Sequence, residues 1–448
     1  MIKQKLQSAW PVLLVFCLAL LVRVVYNFTV AYPYTPHNDS AAYQALAFHL
    51  LDEHVYAIQP YFSNVSRAPF WPLIIAALSL IFGRENIVDR LFLSLIDAGT
   101  CVLIYLFART LFQRWPALLA ALFACIYTAM YIYTGWMYTE TLFTFLLMAV
   151  CFCVLLIQRH EKRRWWLVIL CGVLLALLSL TRPNGVLMIG LVILSFPVLF
   201  WRKMAWRRMA GYAGVMVLVS CLLIVPWTIR NYLAAGHFVL IATGDGTVLL
   251  GSYNDQSIAN QGHWLNPASV YPQQYVRDIP NCNAACGYAD EERRKAAALA
   301  WIEAHPRSLP RLMVLHLQNF FKPYSGEADL PLSRFPYQKG AHFVLNMSQT
   351  LPSFVFALAA LGFLTTLRKH WRELFFVYLA ILATVGEALV YYGSPRFRAP
   401  IEPLLLLLSA GAIWWLTQDA PGTLRHFLQQ RFAPRQVSRS ADVDQSLS

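Results

Sequence analysis

Apolar runs recur from one end of this chain to the other, each roughly 17–25 residues long, the length an α-helix needs to cross a hydrocarbon layer. Inside lipid the backbone must satisfy its own N–H and C=O groups, which leaves helices or a closed barrel. The hairpin punctuation of a barrel is missing between the runs, so they read as helices. Only 13% of the residues are charged and 58% are hydrophobic, whereas soluble domains carry about 25% charged residues. The expected fold class is therefore an all-α polytopic membrane protein without a large soluble domain. The first run, Trp10–Val30, is longer than a signal peptide's apolar core and lacks a small-residue cleavage site, so it is expected to be retained.

The formal net charge of +13 would suit a nucleic-acid binder, but its placement argues against one. The excess sits in short clusters between apolar runs: Lys3/Lys5, Arg109/Arg114, Lys162/Arg163/Arg164, Arg202/Lys203/Arg207/Arg208, Arg368/Lys369/Arg372, and a basic tail from Arg425 to Arg439. Cytoplasmic loops of membrane proteins carry such an excess. Placing these clusters inside sends Trp10–Val30 outward. The run Ala68–Phe82 is short and holds Pro69 and Pro72, and a full crossing there would invert every later cluster. It is expected to be interfacial or partly embedded. Crossings then follow at about 88–108, Pro116–Tyr133, Glu140–Ile157, Trp165–Leu180, Gly185–Trp201 and Met209–Trp227. After a long outer loop come Ser348–Leu367, Glu373–Tyr392 and Ala399–Thr417. This predicts about ten transmembrane helices, seven before the loop and three after, with both termini cytoplasmic. The corresponding units are 1–230, 231–347, 348–418 and a tail at 419–448. Within the loop, Asp290–His305 reads as a charged helix and Arg311–Phe321 as an amphipathic, interfacial one. Cys282 and Cys286 also lie in the loop. If it is extracytoplasmic they are a candidate disulfide, the alternative being two free thiols.

Sorting polar residues by predicted side makes the outer face chemically distinctive. Asp39 follows the first crossing, Arg67 precedes the interfacial helix, and Asp89-Arg90 opens the second crossing. Glu140 begins the fourth. Arg182 joins the fifth to the sixth, Arg230-Asn231 ends the seventh, and Arg396 and Arg398 precede the last. Asp39 can be read as a helix cap or as a general base taking a proton from an attacking hydroxyl. Glu140 can favour its helix N-terminus through the dipole, or orient a substrate, assist Asp39, or help hold a metal. The arginines can snorkel to headgroups or bind phosphate in a bidentate fashion. Walker loops, GxSxG and CxxC pairs are missing from the sequence.

These segments, taken in order, resemble the polytopic glycosyltransferases of the C-type (GT-C) fold. The likeness is to family 39-like members related to the dolichyl-phosphate-mannose protein mannosyltransferases and the aminoarabinose-lipid A transferase. It is carried by Asp39, Arg67-Ala-Pro-Phe-Trp-Pro72, Asp89-Arg90, Tyr138-Thr-Glu140-Thr, Thr181-Arg182-Pro183-Asn184-Gly185, Pro226-Trp227-Thr-Ile-Arg230-Asn231-Tyr232 and Arg396-Phe-Arg398-Ala-Pro400. The resemblance implies a seven-crossing module, a polyprenyl-phosphate-linked sugar as donor, an envelope acceptor (lipid, glycan or protein) and inverting transfer on the periplasmic face of a bacterial inner membrane. It makes Asp39 the general base, with Glu140 beside it. Arg67, Arg90, Arg182, Arg230, Asn231, Arg396 and Arg398 become candidates for donor-phosphate or substrate binding. The sequence names no certain cofactor and leaves a divalent metal open. Ser40 stands where the protein mannosyltransferases often carry a second acid. The alternative reading is a lipid-linked saccharide flippase.

Overall fold

A computed structural model describes residues 2–32, 34–160, 164–275, 279, 281–324 and 338–418. The proposed tail at 419–448 and two members of a basic cluster, Lys162 and Arg163, lie outside the described residues. The fold is helical throughout, apart from a short antiparallel hairpin, β1 (Ala57–Gln59) with β2 (Phe62–Ser63).

Among the described residues, eight helical stretches are long and apolar enough to cross a membrane. They are α1 (Ile2–Thr29), α4 (Asn86–Leu111), the broken pair α5 (Arg114–Ile126) and α6 (Thr128–Trp136), α7 (Thr139–Arg159), α8 (Arg164–Thr181) and α10 (Trp206–Ala235) before the long loop. After it come α15 (Gln338–Lys369) and the stretch formed by α17 (Pro395–Arg398) and α18 (Glu402–Gln418). Two shorter apolar helices, α9 (Gly185–Leu199) and α16 (Phe375–Val390), coincide with the remaining expected crossings. The third, α3 (Phe70–Phe82), has 13 residues. At ~1.5 Å rise per residue it covers about 20 Å, too little to span a ~30 Å hydrocarbon layer alone.

The break between α5 and α6 frees carbonyls in the middle of the bundle, and an unmet carbonyl there is costly. Arg23 of α1 meets them. Its guanidinium donates to the carbonyl oxygens of Cys125 at 2.5 Å, Ala124 at 3.3 Å and Ala19 at 3.3 Å, while its Nε donates to Asp97 of α4 at 2.7 Å. Both side chains of the pair are fully buried. One charge pair therefore ties three helices and closes a gap in the backbone ladder.

The basic clusters gather at one end of the bundle. Arg159 at the end of α7 donates to the carbonyl of Thr110 at 2.8 Å and lies 3.9 Å from Glu373, while Lys369 and His370 pack on Trp414. The opposite end carries α2 (Asp39–Glu53), the hairpin and the long loop with its helices α11 (Asp245–Ser252), α12 (Pro267–Val270), α13 (Ala284–Ala304) and α14 (Leu309–Phe321). Leu312, His316, Asn319 and Phe320 bury one stripe of α14, whereas Met313, Val314 and Phe321 stay exposed on the other. Cys282 and Cys286 are joined by a disulfide, with Cα atoms 5.3 Å apart.

Removing Arg23 strands Asp97 and the α5 carbonyls. Arg23→Ala is expected to cost about 3–5 kcal/mol, because breaking a buried pair leaves an uncompensated charge. Unfolding of purified protein in detergent measures this, and Arg23→Met/Asp97→Leu should recover part of the loss.

Candidate active site

Asp39 opens α2 after a turn built to hold it. Arg90 of α4 donates to the carbonyl oxygens of Ala31, Tyr32 and Tyr34, fixing the chain that leaves α1. The Ser40 hydroxyl accepts from the His37 amide and donates to the His37 carbonyl, both at 2.9 Å. Between them Asn38 takes φ = 52°, a region costly for most side chains and least so for Asn, Asp and Gly. The alternative reading of Asp39 as a helix cap does not hold. Asp39 is itself the first helical residue, Asn38 in front of it makes no side-chain cap, and the Asp39 carboxylate turns to arginines.

Those arginines and Glu140 arrive from four other segments. Arg67 precedes α3, its backbone carbonyl 3.2 Å from the Tyr56 hydroxyl. Glu140 sits in the first turn of α7, and Trp71 of α3 anchors the preceding turn by donating to the Met137 carbonyl at 2.9 Å. Arg182 lies in the tight turn from α8 to α9, where Gly185 is required: a Cβ there would stand 2.7 Å from the backbone of Leu178. Arg396 lies in α17, whose first turn is capped by Ser394, and the chain in front passes so close to α14 that a Cβ on Gly393 would meet the His316 carbonyl oxygen at 1.6 Å.

Together these side chains form a line of alternating charge. Arg67 Nη2 lies 3.0 Å from Asp39 Oδ1, and Arg396 Nη2 lies 2.7 Å from Asp39 Oδ2. The Nε of Arg396 donates to Glu140 Oε1, and Arg182 Nη1 approaches the same oxygen at 3.1 Å. Glu140 is fully buried, and its Oε2 has no hydrogen-bond partner. Tyr138 lies beneath Arg396, with its ring centroid 4.4 Å from Cζ. Phe143 and Phe397 flank Arg182 at 5.8 and 5.6 Å. The Arg182 side chain makes an ion pair but no hydrogen bond to any described residue, so it is the least committed cation here. Asp39, Arg67, Arg182 and Arg396 line a cavity of about 1690 Å³ between α2, the α8–α9 turn, α16 and the long loop.

Burial pushes the Asp39 carboxyl upward, but Arg396 and Arg67 more than offset it and hold it well below the ordinary carboxylate range. Asp39 is therefore ionised at any working pH.

The remaining candidates are elsewhere. Arg90 is spent on backbone carbonyls. Arg230 donates to the carbonyls of Asn64 at 2.6 Å and Tyr56 at 3.2 Å, and lines a separate groove of about 590 Å³. Asn231 is buried and holds the Val239 and Ile241 carbonyls. Arg398 is buried against Glu402 at 2.6 Å and donates to the carbonyls of Phe320 and Lys322. These four residues brace the walls. The sequence reading missed Glu387 of α16, which lines the cavity and accepts a hydrogen bond from Asn184 at 2.9 Å. An acid inside an apolar run was the available signal.

Comparison with known proteins bears on the fold. Residues 66–229 match the family model described as dolichyl-phosphate-mannose-protein mannosyltransferase. Among solved structures, the archaeal oligosaccharyltransferase AglB from Archaeoglobus fulgidus, in complex with an inhibitory peptide and a dolichol-phosphate, superposes with a TM-score of 0.57. It is 15% identical over 96% of this chain and 52% of its own. The Archaeoglobus fulgidus oligosaccharyltransferase in complex with zinc and sulfate gives 0.53, at 15% identity over 89% of this chain and 48% of its own. The chain has the GT-C fold. It spans about half the length of these archaeal proteins. ArnT from Cupriavidus metallidurans bound to undecaprenyl phosphate, 14% identical over 91% of this chain and 78% of its own, superposes more loosely, with a TM-score of 0.41. No curated protein sequence matches the chain. Within this GT-C fold the matched segment 66–229 supplies Arg67, Glu140 and Arg182, while Asp39 and Arg396 come from either side of it.

An acid whose folded pKa is depressed contributes stability above its unfolded value of about 3.9, and that contribution is lost as pH falls. The stability difference between the native protein and Asp39→Asn should therefore shrink as pH drops below ~4. Melting temperatures in detergent across the acid range measure it, and a constant difference would detach Asp39 from its arginines.

Proposed function

We propose that the protein is an inverting glycosyltransferase that moves a sugar from a polyprenyl-phosphate donor to an envelope acceptor. The active site lies on the periplasmic face of a bacterial inner membrane, and both termini are cytoplasmic. The observation that carries this reading is the Arg67–Asp39–Arg396–Glu140–Arg182 line, in which every member but the buried Glu140 lines a large cavity at one end of the bundle. The archaeal structure on the same fold, in complex with a dolichol-phosphate and an inhibitory peptide, supports a lipid-linked donor. Gathering of the Lys/Arg clusters at the far end supports the sidedness.

In this reading the acceptor hydroxyl attacks the anomeric carbon on the face opposite the phosphate. The new C–O bond forms as the sugar–phosphate bond breaks, and Asp39 takes the hydroxyl proton. A carboxylate held so far below its usual pKa is a weak base, so the proton moves late, once bond formation has acidified the hydroxyl. Arg182, with nitrogens uncommitted to protein acceptors, receives the charge that develops on the leaving phosphate. Arg67 holds Oδ1 of Asp39, and Glu140 holds Arg182 and Arg396 in register.

A divalent metal does not fit between the two acids as they stand. The Arg396 guanidinium bonds both, and among the described residues no group of three or more His, Cys, Asp or Glu could hold an ion.

Purified protein supplied with polyprenyl-phosphate sugars and envelope lipids should release polyprenyl phosphate and form a glycosidic product. Asp39→Asn is expected to lower kcat about 10²–10⁴-fold, the usual worth of a general base. Arg182→Ala should raise the donor KM ~10-fold or more, as expected for a charged hydrogen bond worth about 1.5–3 kcal/mol. Undiminished turnover by Asp39→Asn would sink the mechanism. Lipid-linked saccharide crossing liposome membranes without product would favour a flippase.

A further inference from the structure

Arg396 joins two acids that stand far apart in the sequence. One edge of its guanidinium reaches two carboxylates that are 101 positions apart in sequence, Nη2 to Asp39 at 2.7 Å and Nε to Glu140. One face is covered by the Tyr138 ring. Each carboxylate also meets a second arginine, Arg67 on Asp39 and Arg182 on Glu140. An ion bridging Asp39 and Glu140 would have to stand where this guanidinium edge stands, with two more guanidinium groups close by. Calcium and magnesium take about 6–8 oxygen ligands, whereas three of the four carboxylate oxygens here already meet arginines.

We propose that Arg396 is the resident cation of this site: its guanidinium fills the position between Asp39 and Glu140 that a bridging divalent ion would take, and sugar transfer runs without one. The proposal rests on reading the cavity as a glycosyl-transfer site. A covalently tethered cation cannot dissociate, and its position is set by the backbone that carries it. That backbone is tied to the long loop. The Arg396 amide donates to Ser394 Oγ, Gly393 lies against the His316 carbonyl, and Tyr253 and His316 hold the carbonyls of Val390 and Leu389. Helices α11 and α14 thus decide where the cation stands. Arg396 also joins the base to Glu140, so a displacement of the loop moves both acids' partner at once.

Two readouts test the proposal, one of them independent of turnover. Full-length protein in detergent, stripped with EDTA, should keep its activity within about 2-fold. It should show no Mn²⁺ bound at these acids by electron paramagnetic resonance. Arg396→Ala leaves two carboxylates facing a gap, and should bind Mn²⁺ in a way that Arg396→Ala/Glu140→Gln does not. Its activity should be lost in EDTA and regained in part with millimolar Mn²⁺. Arg396→Gln serves as the second variant should the alanine protein fail to fold. Loss of native activity in EDTA, restored by Mn²⁺, would overturn the proposal, as would Mn²⁺ binding to the native protein that Asp39→Asn removes. Failure of both Arg396 variants to bind Mn²⁺ would overturn the claim that the guanidinium fills a cation position. If no sugar is transferred under any condition, the glycosyltransferase reading fails while the Mn²⁺ arm still decides the role of Arg396.

Discussion

Carbonyl groups at breaks and ends of helices inside or beside a membrane have no water to turn to, and this chain answers that constraint with arginine. Arg23 closes the gap between α5 and α6, Arg90 ties the strand of chain leaving α1, Arg230 holds the hairpin and the turn after it, and Arg398 holds the end of α14. A guanidinium presents five donors in a fixed fork, so one side chain can satisfy two or three carbonyls that no helix ladder reaches. The scaffold around the cavity depends on these contacts. Arg90 ties the chain before Asp39 to α4, and Arg398 ties the returning loop to Glu402 at the start of α18.

The partners sort the arginines by role. Arg90 and Arg230, bonded to carbonyls, and Arg23 and Arg398, each bonded to carbonyls and one buried acid, brace the fold, whereas Arg67, Arg182 and Arg396 meet Asp39 and Glu140 and face the cavity. The sequence could not make this division among Arg67, Arg90, Arg182, Arg230, Arg396 and Arg398, because each sits near a helix end on the same predicted face and has the same chemistry. Arg230 and Arg396 look alike as residues beside an aromatic turn. What separates them is whether the nearest chain presents a carbonyl or an acid, and that is decided by contacts 166 and 357 positions apart.

Much else was legible because it depends on short-range rules. Apolar run length gave the helices, and the spacing of the basic clusters gave the order in which they alternate. The two prolines and short length of α3 marked it as different from its neighbours. Asp39, Glu140, Arg67, Arg182 and Arg396 were all visible as polar residues on one side. Ser40 was legible only as a missing acid. In the fold its hydroxyl closes the turn in front of Asp39, a role for which a carboxylate lacks the donor. Glu387 was hidden inside an apolar run, where its partner Asn184 belongs to a turn on the far side of the sequence.

The alternation of charge explains how so many ionisable groups can line one cavity without forcing it apart. Asp39 and Glu140 each stand between two arginines, so the repulsion among those cations is screened by carboxylates in contact with them. The same arrangement leaves the cavity responsive to an arriving anion. A phosphate offers arginine what a carboxylate offers, a pair of oxygens for a planar fork. Arg182, whose one ion pair is to Glu140, can take a phosphate on its remaining nitrogens. Arg396 cannot, because moving it would part Asp39 from Glu140. The two arginines nearest Glu140 are therefore suited to different tasks: one meets a charge that comes and goes, and the other stays to keep the acids in place.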